Sequence, residues 1–245
     1  MIITTNADTK QRLESASKDA HVVILSAEQS ADDDQYFSHV GYLKLLVRRT
    51  QILNLLIKHD FETFLFEFDF LWIKNPIPLL HSYNNQYDML FIENYYEPTS
   101  INGGFVYMFP TNITRPVLHK LVEQMVHLAE HMQGLSNKDE VPEKENDQMY
   151  LSKLVRDEYA GLKHFVLPYS YFTDGVWYTM TKEKKLTLDP FVIHNDYVSG
   201  NDKKINRVKQ FGHWFLNNDN TCNYQKVNSI LNNYIQLIQT YSLAP

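Results

Sequence analysis

Two carboxylates interrupt an aromatic stretch of the chain, Phe64-Leu65-Phe66-Glu67-Phe68-Asp69-Phe70-Leu71-Trp72. Carboxylates are costly to bury without partners, so their place in such a run calls for a reason. Read as a strand from Glu62 to Phe70, with a side-chain period of two, the segment turns Glu67 and Asp69 to the same face near its carboxyl end. In open α/β sheets that end is where ligands bind. Two hard oxygen ligands side by side suit Mg²⁺ or Mn²⁺, which fill their remaining positions with water and substrate phosphates. A nucleotide diphosphate is the natural completion. The alternative is that the pair meets basic side chains across a strand end.

Three further groups carry chemical potential. Asn102-Gly103-Gly104 stands immediately before the apolar strand Phe105 to Phe109, where consecutive glycines either let a ligand approach the backbone or make a tight turn. Asn146-Asp147-Gln148 opens a helix. There Asn is a good N-cap and Asp complements the helix dipole, which is a sufficient account of the triplet taken alone. Ile193-His194-Asn195-Asp196-Tyr197-Val198-Ser199-Gly200-Asn201-Asp202-Lys203-Lys204 ends an apolar strand on a histidine and then runs through a glycine-containing loop to paired lysines. Such a histidine can ligate a metal and such a loop can hold phosphate. Each feature also has a bland reading, as a satisfied histidine and a solvated basic turn.

The elements that must position these groups alternate between strand length and helical period, the pattern of an α/β sandwich. Strands are predicted at Ile2 to Thr5, His21 to Leu25, Glu62 to Phe70, Tyr87 to Ile92, Gly104 to Phe109, Lys163 to Leu167 and Phe191 to His194. Tyr42, Leu45, Leu46, Arg49, Ile52, Leu53, Leu56 and Ile57 recur at helical spacing and predict a helix packed on the sheet. Thr114 and Pro116 start a second helix carrying Val117, Leu118, Leu121, Val122, Met125, Leu128, Ala129 and Met132, and Gly134 stops it. The polar stretch Leu135 to Glu145 reads as an exposed loop, followed by a helix from about Asp147 to Glu158. Two more helices are expected at about Asp202 to Leu216 and Tyr224 to Tyr241. Asp32-Asp33-Asp34 reads as a solvated acidic turn, and Tyr169, Tyr171, Phe172 and Trp177 are either core or a surface for stacking a sugar.

Length and charge bound the rest. The 245 residues suffice for one α/β domain. A net charge of −6 argues against binding a nucleic-acid backbone, and no apolar run approaches the roughly 20 residues that cross a bilayer. Cys222 is the only cysteine, so neither an intrachain disulfide nor a cysteine metal site can form. Asn112-Ile113-Thr114 reads as an N-glycosylation acceptor. The start Met1-Ile2-Ile3-Thr4-Thr5 lacks the marks of a secretory signal, so a complete chain of this sequence is expected in the cytosol.

Taken together, Phe66-Glu67-Phe68-Asp69 through Trp72 to Asn75-Pro76, then Asn102-Gly103-Gly104-Phe105, then Asn146-Asp147-Gln148, then His194-Asn195 with Gly200 and Lys203, resemble the nucleotide-diphospho-sugar transferase family. That family has the GT-A fold and includes plant xylosyl- and arabinosyltransferases. The four blocks agree in order and spacing over roughly Ile2 to Trp214. The resemblance implies a GT-A-like, Rossmann-like α/β/α sandwich with a mixed, mostly parallel central sheet, one domain over residues 1–245. It implies that Asp69 binds Mn²⁺ or Mg²⁺ directly, that Glu67 contacts the ribose or a metal-bound water, and that His194 is a further metal ligand. Lys203 would face the diphosphate, with Asn195 and Gly200 beside it in the donor site. Asn102, Gly103 and Gly104 would line the sugar pocket, and Asp147 with Gln148 would sit beside the anomeric carbon. The family's usual Asp-x-Asp begins here with Glu67, which keeps the carboxylate and lengthens its reach.

The implied activity is metal-dependent transfer of a sugar, with retained configuration, from a UDP-sugar to a glycan or glycoprotein acceptor. The implied setting is the Golgi lumen. The segment Met1 to Leu25 aligns more comfortably with the family's second βα unit, so the first unit and a membrane anchor are expected to be missing. That expectation motivates the alternative of a catalytically silent protein that binds a glycan or a partner. A metal-dependent phosphoester hydrolase using the same carboxylates and His194 is disfavoured, since such enzymes gather more metal ligands, often around two ions.

Overall fold

The computed structural model describes residues 2–4, 7–16, 21–24, 36–97, 99–219 and 221–230. The chain divides into two compact units, Met1–Tyr36 and Phe37–Pro245. The first holds β1 (Ile2–Thr4), α1 (Ala7–Ala16) and β2 (Val22–Ile24), with β1 and β2 paired in parallel so that Ile2 faces Val22. The polar segment of α1 shows too little apolar periodicity to be predicted as a helix. Asp32-Asp33-Asp34 lies outside the described residues.

The second unit opens with α2 (Val40–Lys58). Its buried stripe is Leu43, Leu46, Val47, Thr50, Leu53, Asn54 and Ile57. The stripe is turned about one residue from the expected one, and Leu45 and Leu55 stay exposed. Apolar residues lie nearly all round this helix, so their spacing alone does not fix its rotation. The turn is tolerated because Thr50 Oγ1 donates to the Val47 carbonyl, 2.8 Å away. No side chain caps the start of α2. Instead the Val40 and Gly41 N–H groups donate at 3.0 Å to the carbonyls of Asp139 and Asn137. The polar loop between the later helices thereby gains a structural task.

After α2 come β3 (Thr63–Phe66), β4 (Phe70–Trp72), α3 (Ile77–His81), β5 (Met89–Glu93), β6 (Ile101–Met108) and α4 (Thr114–His131). Then follow α5 (Asp147–Arg156), β7 (His164–Leu167), β8 (Phe172–Thr173), α6 (Lys182–Leu186), β9 (Val192–His194) and α7 (Asn201–Gln210). Four strands order as β3-β6-β5-β7 and three as β4-β9-β8. The β3–β6, β5–β6 and β4–β9 pairings are antiparallel, and β5–β7 and β8–β9 are parallel, which makes both sheets mixed. Every residue of β6 is buried, as its central place requires.

Alternation along β5 and β6 sends Met89, Phe91, Val106 and Met108 to one layer with α2, α4 and α5. Leu90, Ile92, Phe105 and Tyr107 go to the other with Phe70, Leu80, Phe172 and Val192. α2, α4 and α5 thus cover one face of the four-stranded sheet, and α3 with the β4-β9-β8 sheet covers the other, an α/β fold of the expected class whose central sheet is mixed rather than mostly parallel. α4 buries Val117, Leu118, Leu121, Met125 and Leu128, and Gly134 follows it at φ +81°, where glycine is the easy choice.

Three expected boundaries move. The strand predicted from Glu62 to Phe70 is two strands in two sheets, since β3 stops at Phe66 and β4 starts at Phe70. Asn102, Gly103 and Gly104 lie within β6, not before it. α7 ends at Gln210 because the chain turns out at Gly212, φ +73°. The last expected helix is seen over residues 224–230, and its remainder lies outside the described residues. Among the described residues no helix is long and apolar enough to cross a membrane.

Buried His213 follows α7, its Nδ1 3.1 Å from the Tyr178 hydroxyl. Burial, reinforced by the charges of Lys185 and Lys226, pushes its pKa down to about 3 from an ordinary 6.5. Between those values the unfolded chain binds a proton that the folded chain refuses. The stabilising contribution of neutral His213 is therefore complete above pH 6.5 and is lost as the pH falls towards 3. Relative to His213→Gln, the native protein is expected to lose about 1.4 kcal/mol per pH unit near pH 5. Urea melts of both proteins from pH 7 to pH 4 check this.

Candidate functional site

The chain crosses from one sheet to the other at Glu67-Phe68-Asp69. Glu67 N–H still donates to the Gly104 carbonyl at 3.0 Å, the last rung beside β6, while the Asp69 carbonyl accepts the Asn195 N–H at 2.9 Å, the first beside β9. The acidic pair is thus a turn between two ladders. It was expected to share one strand face. The turn still brings both carboxylates to one atom: His194 Nε2 lies 3.3 Å from Glu67 Oε2 and 3.2 Å from Asp69 Oδ1.

Each member is held from behind. The His194 imidazole stacks on Phe70 at 4.0 Å between centroids, and its Nδ1 faces Asn102 Nδ2 at 3.1 Å and Asp196 Oδ2 at 3.3 Å. Asn102 Nδ2 also donates to Asp196 Oδ2 at 2.9 Å, and its Oδ1 accepts the Gly104 N–H. Lys204 Nζ reaches Asp69 Oδ2 at 2.6 Å. On the other flank Arg49 donates twice to Asp147 Oδ2, at 2.6 and 3.1 Å, and once to Glu67 Oε1 at 3.4 Å. Asp147 opens α5, whose cap Asn146 accepts the Met149 N–H at 2.9 Å. The neighbouring Gln148 Oε1 accepts the Gly103 N–H at 2.8 Å.

The electrostatics follow from this crowding. Burial works to lower the His194 pKa, but hydrogen bonds to Asp69 and Glu67, with Asp196 behind, push it up to about 10. Burial works to raise that of Asp69, and the His194 and Lys204 partners outweigh it, holding the carboxyl well below its usual range. Glu67 is lowered in the same way by His194 and Arg49 against burial. Burial, with Asp174 nearby, raises Asp196.

Glu67, Asp69 and His194 each offer one ligand atom, all within 4.8 Å of one another. Two carboxylate oxygens and an imidazole nitrogen suit Mn²⁺, or Mg²⁺ with water completing its shell. The glycines make room for this. A Cβ on Gly104 would stand 2.7 Å from Glu67 Oε2 and 2.9 Å from His194 Cε1, and one on Gly103 would stand 2.9 Å from the Gln148 Cβ. Gly104→Ala is therefore expected to separate Glu67 from His194, at a cost of about 1–3 kcal/mol in stability. It is also expected to weaken Mn²⁺ binding at least tenfold, which thermal melts with a Mn²⁺ titration followed by electron paramagnetic resonance would check.

Of the residues singled out in the sequence, Glu67, Asp69, Asn102, Gly103, Gly104, Asp147, Gln148 and His194 converge. Asn195 lies behind them, with its Oδ1 accepting from Arg207 Nε at 2.7 Å and its Nδ2 donating to the Lys204 carbonyl. Gly200 starts α7 at φ +92°. Lys203 is exposed, and its neighbour Lys204 is the lysine on Asp69. Arg49 and Asp196 were given no role in the sequence, and Lys204 was read only as one of the paired lysines. For Arg49 a signal existed, as a lone cation among apolar positions of a packed helix face.

This site lies at a sheet crossing in an α/β fold. A family model for nucleotide-diphospho-sugar transferases matches residues 1–208, and the chain belongs to that family. It is 23% identical over 226 residues to the Arabidopsis thaliana UDP-D-xylose:L-fucose alpha-1,3-D-xylosyltransferase, covering 80% of this chain and 56% of that one. It is 22% identical over 210 residues to UDP-D-xylose:L-fucose alpha-1,3-D-xylosyltransferase 3 of the same plant, with 80% and 54% covered. The chain thus spans about half the length of the curated relatives it matches.

Proposed function

We propose that the chain is a metal-dependent, retaining glycosyltransferase that moves a sugar from a UDP-sugar to a hydroxyl of a glycan or glycoprotein. The convergence of Glu67, Asp69 and His194 at one point carries this reading, and the family match over residues 1–208 supports it. The reading takes both compact units as parts of one transferase domain. UDP-xylose as donor and an L-fucose unit as acceptor come from the names of the relatives.

Asp69, His194 and Glu67 would hold Mn²⁺ or Mg²⁺, which when bound offsets the negative charge that builds on the departing diphosphate. Lys204, already on Asp69, is placed to add a positive charge there, and we give it this role in place of exposed Lys203. Asn195 and Gly200 fix the start of α7 and so the reach of that lysine. Gly103 and Gly104 keep the floor of the sugar pocket free of side-chain bulk, and Asn102 braces it through His194 and Asp196. Asp147 and Gln148 would face the anomeric carbon, with Asp147 oriented by its two hydrogen bonds from Arg49. In the transfer the bond from anomeric carbon to phosphate oxygen breaks and a bond to the acceptor oxygen forms on the same face. The acceptor's proton passes to the released diphosphate oxygen. The alpha linkage in the relatives' names fits retention from an alpha-linked UDP-sugar. The Golgi lumen, where exposed Asn112 could be glycosylated, is the setting this reading carries.

Incubation with UDP-xylose, methyl α-L-fucopyranoside and Mn²⁺ tests it. A xylosylated fucoside that appears with Mn²⁺ and disappears with EDTA is expected. A folded protein that releases no UDP from any UDP-sugar would sink the enzymatic reading and leave a silent binding protein.

A further inference from the structure

A rim of tyrosines stands beside the metal-ligand cluster and has no part in it. Tyr95 and Tyr96 follow β5, and Tyr197 follows β9, so both segments leave carboxyl ends of strands. The three side chains stay in water although they are large: Tyr95 is 36%, Tyr96 64% and Tyr197 43% exposed. Their rings nevertheless touch, Tyr95 to Tyr96 at 5.5 Å and Tyr96 to Tyr197 at 5.0 Å between centroids, both edge to face. Tyr169 extends the row at 5.3 Å from Tyr95. Of the aromatics singled out in the sequence, Phe172 and Trp177 are core, while Tyr169 and the half-exposed Tyr171 reach the surface.

The rim is anchored rather than loose. The Tyr95 N–H donates to Asp174 Oδ2 at 3.1 Å, the Tyr169 hydroxyl donates to Asp174 Oδ1 at 2.7 Å, and the Tyr197 hydroxyl donates to Asn94 Oδ1. Asp174 is fully buried. Tyr197 sits at φ +56°, a left-handed conformation that a non-glycine residue keeps at a cost of about 1–3 kcal/mol. Such strain persists where the surroundings fix it, and here it holds an aromatic ring outward beside a reactive cluster.

We propose that Tyr95, Tyr96 and Tyr197 form a stacking platform for the pyranose ring of the acceptor. The inference rests on the transferase reading and adds to it where the acceptor lies. The His194 ring divides the space: Nε2 faces Glu67 and Asp69, where metal and diphosphate belong, and Nδ1 faces Asp196, next in the chain to Tyr197. The rim is therefore joined to the cluster through Asp196, the partner of the imidazole's Nδ1. Rings that meet edge to face make a ridge of C–H edges and open faces, which suits the apolar face of a sugar. A slot of parallel rings, as a nucleotide base would prefer, is not formed. Anchored tyrosines also lose little freedom when a ligand stacks on them.

Saturation-transfer NMR with methyl α-L-fucopyranoside tests the platform, on the native protein, Tyr96→Ala and Tyr224→Ala. Tyr224 is an exposed tyrosine outside the rim. UDP titrated with Mn²⁺ into the same samples reads the donor site separately. Saturation is expected on the fucoside ring and methyl protons, to fall at least threefold in Tyr96→Ala, and to be unchanged in Tyr224→Ala. Equal signals in native protein and Tyr96→Ala, or none in the native protein, would overturn the platform. So would a loss of UDP affinity in Tyr96→Ala, which would give the rim to the base. Failure of UDP to bind any of the three proteins counts against the transferase reading instead, whatever the fucoside signal.

Discussion

Asp69→Asn is expected to lower metal-dependent transfer by about a thousandfold, at the upper end of what loss of one charge-stabilising group costs, while far-ultraviolet circular dichroism stays unchanged. The substitution preserves size, so the backbone link from the Asp69 carbonyl to the Asn195 N–H can persist. What it removes is the anion to which His194 and Lys204 both donate. An amide at this position offers one neutral oxygen where a divalent ion needs a carboxylate, and its NH₂ faces groups that are themselves donors. Steady-state transfer by purified native and variant protein at saturating Mn²⁺ is the check. Activity within tenfold of native would remove Asp69 from the chemistry.

Arg49→Met should act mainly on stability. Asp147 is 8% exposed at its side chain and receives both nearer Arg49 hydrogen bonds on a single oxygen. Removing one partner of a buried ion pair leaves the other charge uncompensated, which costs about 3–5 kcal/mol. At about 2–4 °C per kcal/mol for a chain of this size, the melting temperature should fall by roughly 6–20 °C. The pairing itself makes a sharper expectation. In Arg49→Met with Asp147→Leu the buried Asp147 charge is removed as well and Glu67 keeps His194, so much of the lost stability should return while transfer stays absent. Thermal melts of the single and double variants distinguish this from a general packing defect, in which the second substitution would lower stability further.

The acidic pair, the glycines, the capped start of α5 and the histidine ending β9 were readable because each breaks a local pattern. A carboxylate in an aromatic run or a glycine pair in an apolar stretch is conspicuous in a single sequence. Their junction was less so. A turn at Glu67–Asp69 was masked by the apolar residues on either side, which continue a strand pattern across a change of sheet. Asn102 to Gly104 were placed before β6 because glycine usually weakens a strand. Inside β6 they answer a different need, the close approach of Glu67, His194 and Gln148.

Partners distant in sequence were harder still. Arg49 and Asp147 are brought together by the packing of α2 against α5, and the rotation of α2 could not be fixed from a helix apolar nearly all round. Choosing between Lys203 and Lys204 required the phase of α7, which Gly200 sets by starting the helix from a left-handed backbone. One residue is about 100° of helix, enough to exchange the cluster for solvent. The tyrosine rim gave no sequence pattern at all, since Tyr96 and Tyr197 meet only where the loops after β5 and β9, strands of different sheets, come together.

Calorimetric titration of the purified chain with UDP, in the presence and absence of Mn²⁺, addresses the donor site most directly. Binding that requires Mn²⁺ and disappears in Asp69→Asn is the expected result. Binding of equal strength with and without the ion, or retained in the variant, would contradict a metal-held diphosphate at Glu67, Asp69 and His194.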